Sequence, residues 1–224
     1  VQLTKNGLLT GDVDIIDPMK ERRLAGDLKI ERLSASLFNS LLSPGETAQG
    51  TIYGDLKLGG TLMEPQLYGQ TGIREMRVDS TKLPFEMLPS SFNLTFNGNK
   101  STLSGELKTP KGGLTLQGDA DWKSIAQGHT RIAAKGVKMR VTMPPSVEFD
   151  LTTDVHCEAS AEKISLNGLI DLPWARVQMY ELPPSATDVS ADTVRLDRPR
   201  PKKADNGEPI PIESNLFVNI GDDV

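Results

Sequence analysis

The reactive side chains of this sequence are few, and their spacing decides whether they could act together. His156, Cys157 and Glu158 stand side by side in a segment where polar and apolar residues alternate. Neighbouring residues of a β-strand point to opposite faces of the sheet, so this imidazole and this thiol cannot form a nucleophile–base pair. The second histidine, His129, lies in a predicted turn. The sequence therefore predicts no catalytic site, and we expect that the protein is not an enzyme.

The sequence does not support a metal site or an anion site either. Asp150 and Asp154 fall on the polar side of the alternation, where a solvated carboxylate is a simpler interpretation than a calcium ligand. Arg198, Arg200 and Lys202–Lys203 could touch anionic head groups, but a solvated linker explains them more simply. The single cysteine excludes an internal disulfide framework and a cysteine-based zinc cluster. We therefore expect no metal and no cofactor.

Composition narrows the class of protein further. The 224 residues are long enough to bury a core, and a hydrophobic fraction of 37% with 20 glycines is ordinary for a globular domain. The net charge is −5 and no basic stripe carries interleaved aromatic residues, so nucleic acid is not an expected partner. No run approaches the roughly 18 apolar residues of a membrane-spanning helix. Both ends of the sequence fall within strand-like patterns, which suggests a piece of a longer β-rich protein.

The pattern that dominates the sequence is alternation, and its chemistry is the burial of alkyl groups. At the start of the stretch from Gly50 to Val78, Ile52, Leu56 and Leu58 occupy even positions, and the odd positions from 51 to 57 are polar. A period of two predicts extended strands with one apolar and one polar face. The same pattern recurs along most of the chain, and one slip at Gly136 predicts a β-bulge.

One segment has a different period. Leu33, Leu37, Phe38 and Leu41 recur at helical spacing before a Ser-Pro-Gly stop, which predicts one short helix near residues 33–42. A helix of this length is not stable alone, so we expect it to pack against one end of the sheet.

Composition also divides the chain into three segments. Residues 1–180 form a β-rich segment with the alternating pattern. Residues 181–212 are rich in proline and charge and predict a flexible linker, because such a composition cannot bury enough apolar surface to fold. Residues 213–224 begin a further β segment that the sequence truncates.

About ten amphipathic strands and one short helix leave more apolar surface than the helix can cover. Two sheets could pack as a β-sandwich, one sheet could close into a barrel, or one sheet could curl into an open trough. An aromatic content of 5% leaves few large rings to fill a closed core. The aliphatic walls favour a trough only weakly, so composition alone leaves all three architectures open.

A longer motif within the stretch from Gly50 to Val78 is more specific than the alternation. The pattern G-x-L-x-L-x-G-T-L-x-x-P-x-L-x-G runs from Gly54 to Gly69, with the predicted helix before it. The strand end Gly118–Trp122 and the late segment Glu181–Val194 follow in order. This ordered set resembles the TamB-like family and spans most of the chain. Similar designs occur in AsmA-like and bridge-like lipid-transfer proteins.

The resemblance implies a mainly β fold, with a long curved antiparallel sheet folded into an open trough that has a hydrophobic groove. It implies a periplasmic segment of a protein anchored in the inner membrane of a diderm bacterium. It further implies the transfer of phospholipid to the outer membrane and help in the assembly of outer-membrane and autotransporter β-barrels. The implied partners are phospholipid acyl chains or unfolded outer-membrane protein strands, and the outer-membrane barrel protein TamA. A structural or adhesive β-module with a closed core is the alternative.

If the sheet is an open trough, its inward aliphatic positions are the candidate site. These groove-lining residues are Ile52, Leu56, Leu58, Leu94, Leu103, Leu107, Leu114, Leu116, Val137, Met139, Val141, Phe149, Leu151, Ile164, Leu166 and Ile170. Each methylene of a guest that is buried there contributes roughly 0.8 kcal/mol, so two acyl chains of ordinary length would bind without any polar anchor.

Overall fold

Alternation along the chain produces a single sheet of twelve strands in the computed structural model of the protein. The structure describes residues 2–3, 7–17, 22–80, 82–123, 128–143, 147–178 and 210–223. The strands are β1 Gln2–Leu3, β2 Gly7–Ile16, β3 Arg23–Ser34, β4 Thr47–Gly60, β5 Pro65–Asp79, β6 Leu88–Gly98, β7 Lys100–Lys108, β8 Gly113–Asp121, β9 His129–Met143, β10 Val147–Ser160, β11 Ile164–Val177 and β12 Ile212–Asp223, and a 3-10 helix, Ala35–Leu41, joins β3 to β4.

The order of the strands in the sheet is their order in the chain. Strands β1 to β11 pair antiparallel, as expected for a meander of hairpins. Within the described residues β1 and β12 are the two edges and do not pair with each other, so the sheet is an open trough and not a barrel. The predicted mainly β trough is therefore confirmed, and the sandwich alternative is wrong because the described strands form only one sheet.

The last strand departs from the predicted pairing. Strand β12 lies parallel to β11, with Ile164 opposite Ile212 and Leu172 opposite Ile220. It belongs to the same sheet as the rest of the chain. Most of the linker predicted at residues 181–212 lies outside the described residues.

The predicted helix exists but has a different period. Ser34 caps it by accepting a hydrogen bond from the backbone N–H of Ser36, and the Asn39 side chain accepts one from Ala48 of β4 at 2.8 Å. The seven residues wind as a 3-10 helix, so the α-helical stripe expected from the spacing does not form. As a consequence Leu41 remains 80% exposed.

A band of β-bulges crosses the sheet near one end of its strands. The pairing shifts register at residues 31–32 of β3, 74–76 of β5, 89–90 of β6, 137–138 of β9 and 172–173 of β11. The bulge predicted at Gly136 is confirmed, since Gly136 and Met139 pair with Thr153 and Leu151 and leave two residues opposite one. Bulges increase local twist and bend the strand. The band therefore bends the sheet.

The bend produces a small core, which we call the closed end. Among the described residues only five apolar side chains are buried, each 3–6% exposed, and all lie at or beyond the bulge band. They are Leu33, Ala35, Met87, Met139 and Val141. The segment between β5 and β6 contributes Met87 and is tied to β9, because the Thr142 N–H donates to the Pro84 carbonyl at 2.6 Å. The fold thus has a packed end, and the rest of the sheet is a single layer.

Candidate functional site

The strand register brings aliphatic residues of distant parts of the chain onto one face. Each row across the sheet takes one residue from each of ten neighbouring strands, and two such rows cross the trough, the second of them starting at Leu33 of the closed end. The first row is Leu9, Ile30, Gly54, Thr71, Leu94, Leu103, Gly118, Ile132, Cys157 and Leu166, and the second is Leu33, Ile52, Ile73, Phe92, Gly105, Leu116, Ala134, Val155, Gly168 and Leu216. We call this apolar surface the inner face.

The opposite surface, which we call the outer face, carries the polar half of the alternation. Along β7, Leu103 and Leu107 are half-buried, whereas Thr102, Ser104 and Glu106 between and beside them are exposed. Outside the closed end, no second layer covers the inner face in the described part of the chain. Its partial burial therefore comes from neighbouring side chains on the same curved face, not from a packed core.

All the predicted groove-lining residues except Val137 lie on the inner face. The bulge explains the exception, because Val137 pairs with Gly113, which alternates with inward Leu114, and is 55% exposed. Met139 and Val141 are on the predicted face but inside the closed end, so they contact protein and are not open to a guest. Phe149 and Leu151 pair with Val141 and Met139 and lie beyond the bulge as well. The remaining predicted residues lie in the open part of the trough.

An open cavity of about 370 Å³ lies on the inner face between β2 and β5. Its apolar lining is Leu9, Val13, Leu28, Leu56, Leu58 and Leu67. The prediction included only Leu56 and Leu58 of these. The others follow the same alternation in β2, β3 and β5, so the pattern could have identified them.

The inner face carries few polar atoms that could hold a guest. The two hydroxyls near its centre are already engaged by backbone: Thr71 donates to the Tyr53 carbonyl at 2.9 Å and Thr153 to the Leu169 carbonyl at 3.3 Å. Among the described residues, no buried side-chain nitrogen or oxygen lacks a partner. The surface can therefore bury alkyl groups without fixing them at one position.

Glycines on the inner face leave room for neighbouring side chains to fold over. A Cβ atom built on Gly105 would lie 2.3 Å from Cδ1 of Phe92, so the phenyl ring occupies the space above that glycine. Gly136 similarly lies under Leu114, with 3.2 Å between a Cβ built there and the Leu114 Cδ1 atom. The inner face is therefore smoother than its mixture of large side chains and glycines suggests.

The reactive residues are separated as predicted. Cys157 pairs with inward Ile132, whereas His156 pairs with Ala133 on the outer face and lies 3.2 Å from an oxygen of Asp154. His129 is the first residue of β9 and not part of a turn. No group of three or more potential metal ligands occurs among the described residues. In that same part of the chain no helix is long and apolar enough to cross a membrane.

Asp150 corrects one expectation, because it is buried and not solvated. On the outer face of the closed end it accepts hydrogen bonds from Lys111 at 2.5 Å and Arg140 at 2.6 Å, and the Arg140 guanidinium lies 4.2 Å from the Trp174 ring centre. Burial alone would raise the pKa of Asp150, but the hydrogen bonds from Arg140 and Lys111 outweigh it and hold the pKa below its ordinary value. The cluster is a structural ion pair with all its charges engaged. The basic residues Arg198, Arg200, Lys202 and Lys203 lie outside the described residues.

Sequence reasoning missed one aromatic contact at the inner face. The Trp122 indole donates from Nε1 to the Pro65 carbonyl at 2.9 Å and packs edge-to-face on Phe96, with 6.2 Å between ring centres. Both residues belong to the recognised patterns, but their contact joins β5 to the end of β8. No spacing in the sequence signals it.

Known proteins of one family are similar to this chain. Residues 1–73 match the family model for the TamB N-terminal domain, and residues 101–224 match the model for the TamB C-terminal domain. A curated relative from Haemophilus influenzae, translocation and assembly module subunit TamB, is 34% identical over 233 residues. That alignment covers all of this chain and 18% of the relative, so the chain spans about a fifth of the relative's length. No solved structure matches the chain.

Proposed function

The chain belongs to the TamB family, and from that premise we propose that its inner face carries phospholipid acyl chains, as one length of a path from the inner to the outer membrane. The family makes the protein a component of a translocation and assembly module. The observation that carries the proposal is the uncovered aliphatic face: a single-layer sheet leaves its apolar side to be covered by something other than the described residues. Monomeric soluble proteins rarely leave so large an apolar surface without a binding role.

The mechanism in this proposal is passive. Acyl chains lie on the aliphatic wall, and the head group stays at the open edge in water. Each buried methylene contributes roughly 0.8 kcal/mol, and the engaged hydroxyls of Thr71 and Thr153 offer no competing anchor, so a chain can slide. No catalytic step is involved. The segment would stand in the periplasm as part of a protein anchored in the inner membrane.

A second role, support for the assembly of outer-membrane and autotransporter barrels together with TamA, is favoured by β12. Within the described residues this strand of twelve residues pairs only with β11. A free strand edge can accept an extended client strand by backbone hydrogen bonds. An unfolded outer-membrane protein strand is then the guest at the edge, and lipid is the guest on the inner face.

Site-specific photo-crosslinking in the full-length protein in cells tests the lipid proposal. A photoreactive residue at Leu94, which lies on the inner face, should capture phospholipid. The same residue at Asn93, which is the next position and exposed on the outer face, should not. Capture of protein alone at Leu94, or equal lipid capture at both positions, would overturn the proposal. Crosslinks from β12 to client strands would instead support the second role.

A further inference from the structure

The central hairpin of the sheet stops short of the neighbouring strand β5. The turn between β6 and β7 lies at Asn99, and Leu67 of β5 is the last residue that pairs with β6. Strand β5 begins two residues earlier, at Pro65, whereas β8 ends at Asp121, which pairs with Lys100 at the start of β7. Beyond the hairpin turn a gap therefore separates Pro65 of β5 from Trp122, the residue that follows β8.

Trp122 closes this gap from the inner face. Its backbone N–H donates to the Asn99 carbonyl at 2.9 Å, which fixes the residue beside the hairpin turn. Its side chain then reaches across β7 and β6 to the Pro65 carbonyl, and its ring rests against Phe96. One residue thereby joins three elements that are far apart in the chain.

The contact sets a limit on the shape of the sheet. Strands β5 and β8 are three spacings apart, which is about 14 Å on a flat sheet. An indole side chain and one hydrogen bond together span less than this distance. The bond between Trp122 and Pro65 can therefore form only when the strands curl toward each other, and it holds them in that curl.

We propose that Trp122 is a positioning residue that fixes the curvature of β5 to β8 and thereby sets the width of the trough. Pro65 is two residues from Leu67, which lines the apolar cavity together with its partner Leu58, so a change at the clamp moves a wall of the cavity. The width in turn limits which acyl chains fit. This last step rests on the proposed function, whereas the clamp itself does not.

Trp122→Phe tests the clamp because it keeps an aromatic ring at this position and removes the N–H donor. Spin labels at Gln70 of β5 and Glu158 of β10, both exposed on the outer face, report the curl in a Cys157→Ser background. On a flat sheet these strands would be five spacings, about 24 Å, apart. Pulsed electron paramagnetic resonance should give a shifted and broader distance distribution in the variant.

The matched control is Trp174→Phe. This is the same substitution on the outer face, where the ring stacks on Arg140 and spans no gap. It should leave the distribution unchanged. An unchanged distribution in Trp122→Phe, or an equal shift in Trp174→Phe, would overturn the clamp. If Trp122→Phe melts at a much lower temperature than Trp174→Phe, replacing Trp122 with benzothienylalanine, which substitutes sulfur for the N–H, makes the same test with the full ring.

A lipid measurement separates the clamp from the proposed function. Binding of a phospholipid with a bulky pyrene-labelled chain, relative to an unlabelled one, should rise severalfold in Trp122→Phe and stay constant in Trp174→Phe. A distance shift with an unchanged binding ratio would mean that the clamp shapes the sheet but does not select the guest. Absence of lipid binding by the wild-type protein would count against the proposed function and leave the distance result standing.

Discussion

The closed end and the open part of the trough are built from the same kinds of side chain on the same face, yet they differ in burial. At the closed end Met139 and Val141 are 3% and 4% exposed, whereas Leu28 and Ile132 in the open part are each 37% exposed. Bulges and the segment between β5 and β6 fold protein over the first region, and no described element covers the second. The comparison teaches that aliphatic residues on a strand become a core or a binding surface according to the curvature around them.

The largest difference between the two regions should appear when a charge is introduced. Met139→Glu places an unpaired carboxylate among buried side chains, and the cost of several kcal/mol is a large part of the whole stability of a typical domain. Leu116→Glu lies on the half-buried inner face, where the carboxylate can reach water. Circular dichroism melts should show an unfolded Met139→Glu protein and a folded Leu116→Glu protein.

The adjacent outer-face variant Gln117→Glu controls for the added charge and should keep both fold and bound lipid. Leu116→Glu should keep the fold and lose the lipid. If Leu116→Glu unfolds like Met139→Glu, the open part is a closed core and the comparison between the two regions fails.

An intermediate difference is expected between ion pairs of the two regions. Asp150→Asn at the closed end leaves Lys111 and Arg140 with a weaker partner and should lower the free energy of unfolding by about 2 kcal/mol. Asp119→Asn breaks an exposed pair with Arg131 in the open part and should lower the free energy of unfolding much less. Urea unfolding at neutral pH measures both. Equal costs would show that the closed end gives Asp150 no special environment.

The lowered pKa of Asp150 predicts that the stability of the protein depends on pH. The pKa of Asp150 is lower in the folded protein than its ordinary value of 3.8, so the ionised form stabilises the fold. That contribution is complete above the unfolded pKa and is lost as the pH falls through the lower folded pKa. Wild-type protein should therefore lose more stability than Asp150→Asn on acidification below about pH 4. Parallel loss in the two proteins would contradict the lowered pKa.

The smallest difference concerns glycines. Gly105→Ala introduces a methyl where the Phe92 ring lies, and should destabilise the protein by about 1 kcal/mol because the ring must move. Gly59→Ala has no heavy atom within 4 Å of the new methyl and should be neutral or slightly stabilising. Urea midpoints measure both changes. A neutral Gly105→Ala would show that the inner face is loose enough to accept extra volume.

Much of the fold could be predicted because alternation is a local property. Ile52, Leu56 and Leu58 share a face whatever the rest of the chain does, since every second residue of a strand points the same way. The slip at Gly136 predicted a bulge for the same local reason. The face on which Val137 lies could not be derived in this way, because the residue that a bulge leaves unpaired depends on the partner strand.

The sequence by itself therefore determined the strands, their apolar face, the absence of a paired histidine and cysteine, and the family. Tertiary structure alone decided which part of that face is covered, that the short helix is a 3-10 helix, that β12 runs parallel, that Asp150 is buried, and that Trp122 reaches Pro65. The physical reason is range. The direction of a side chain follows from the backbone of its own strand, but its burial follows from curvature, which contacts between residues far apart in the chain impose.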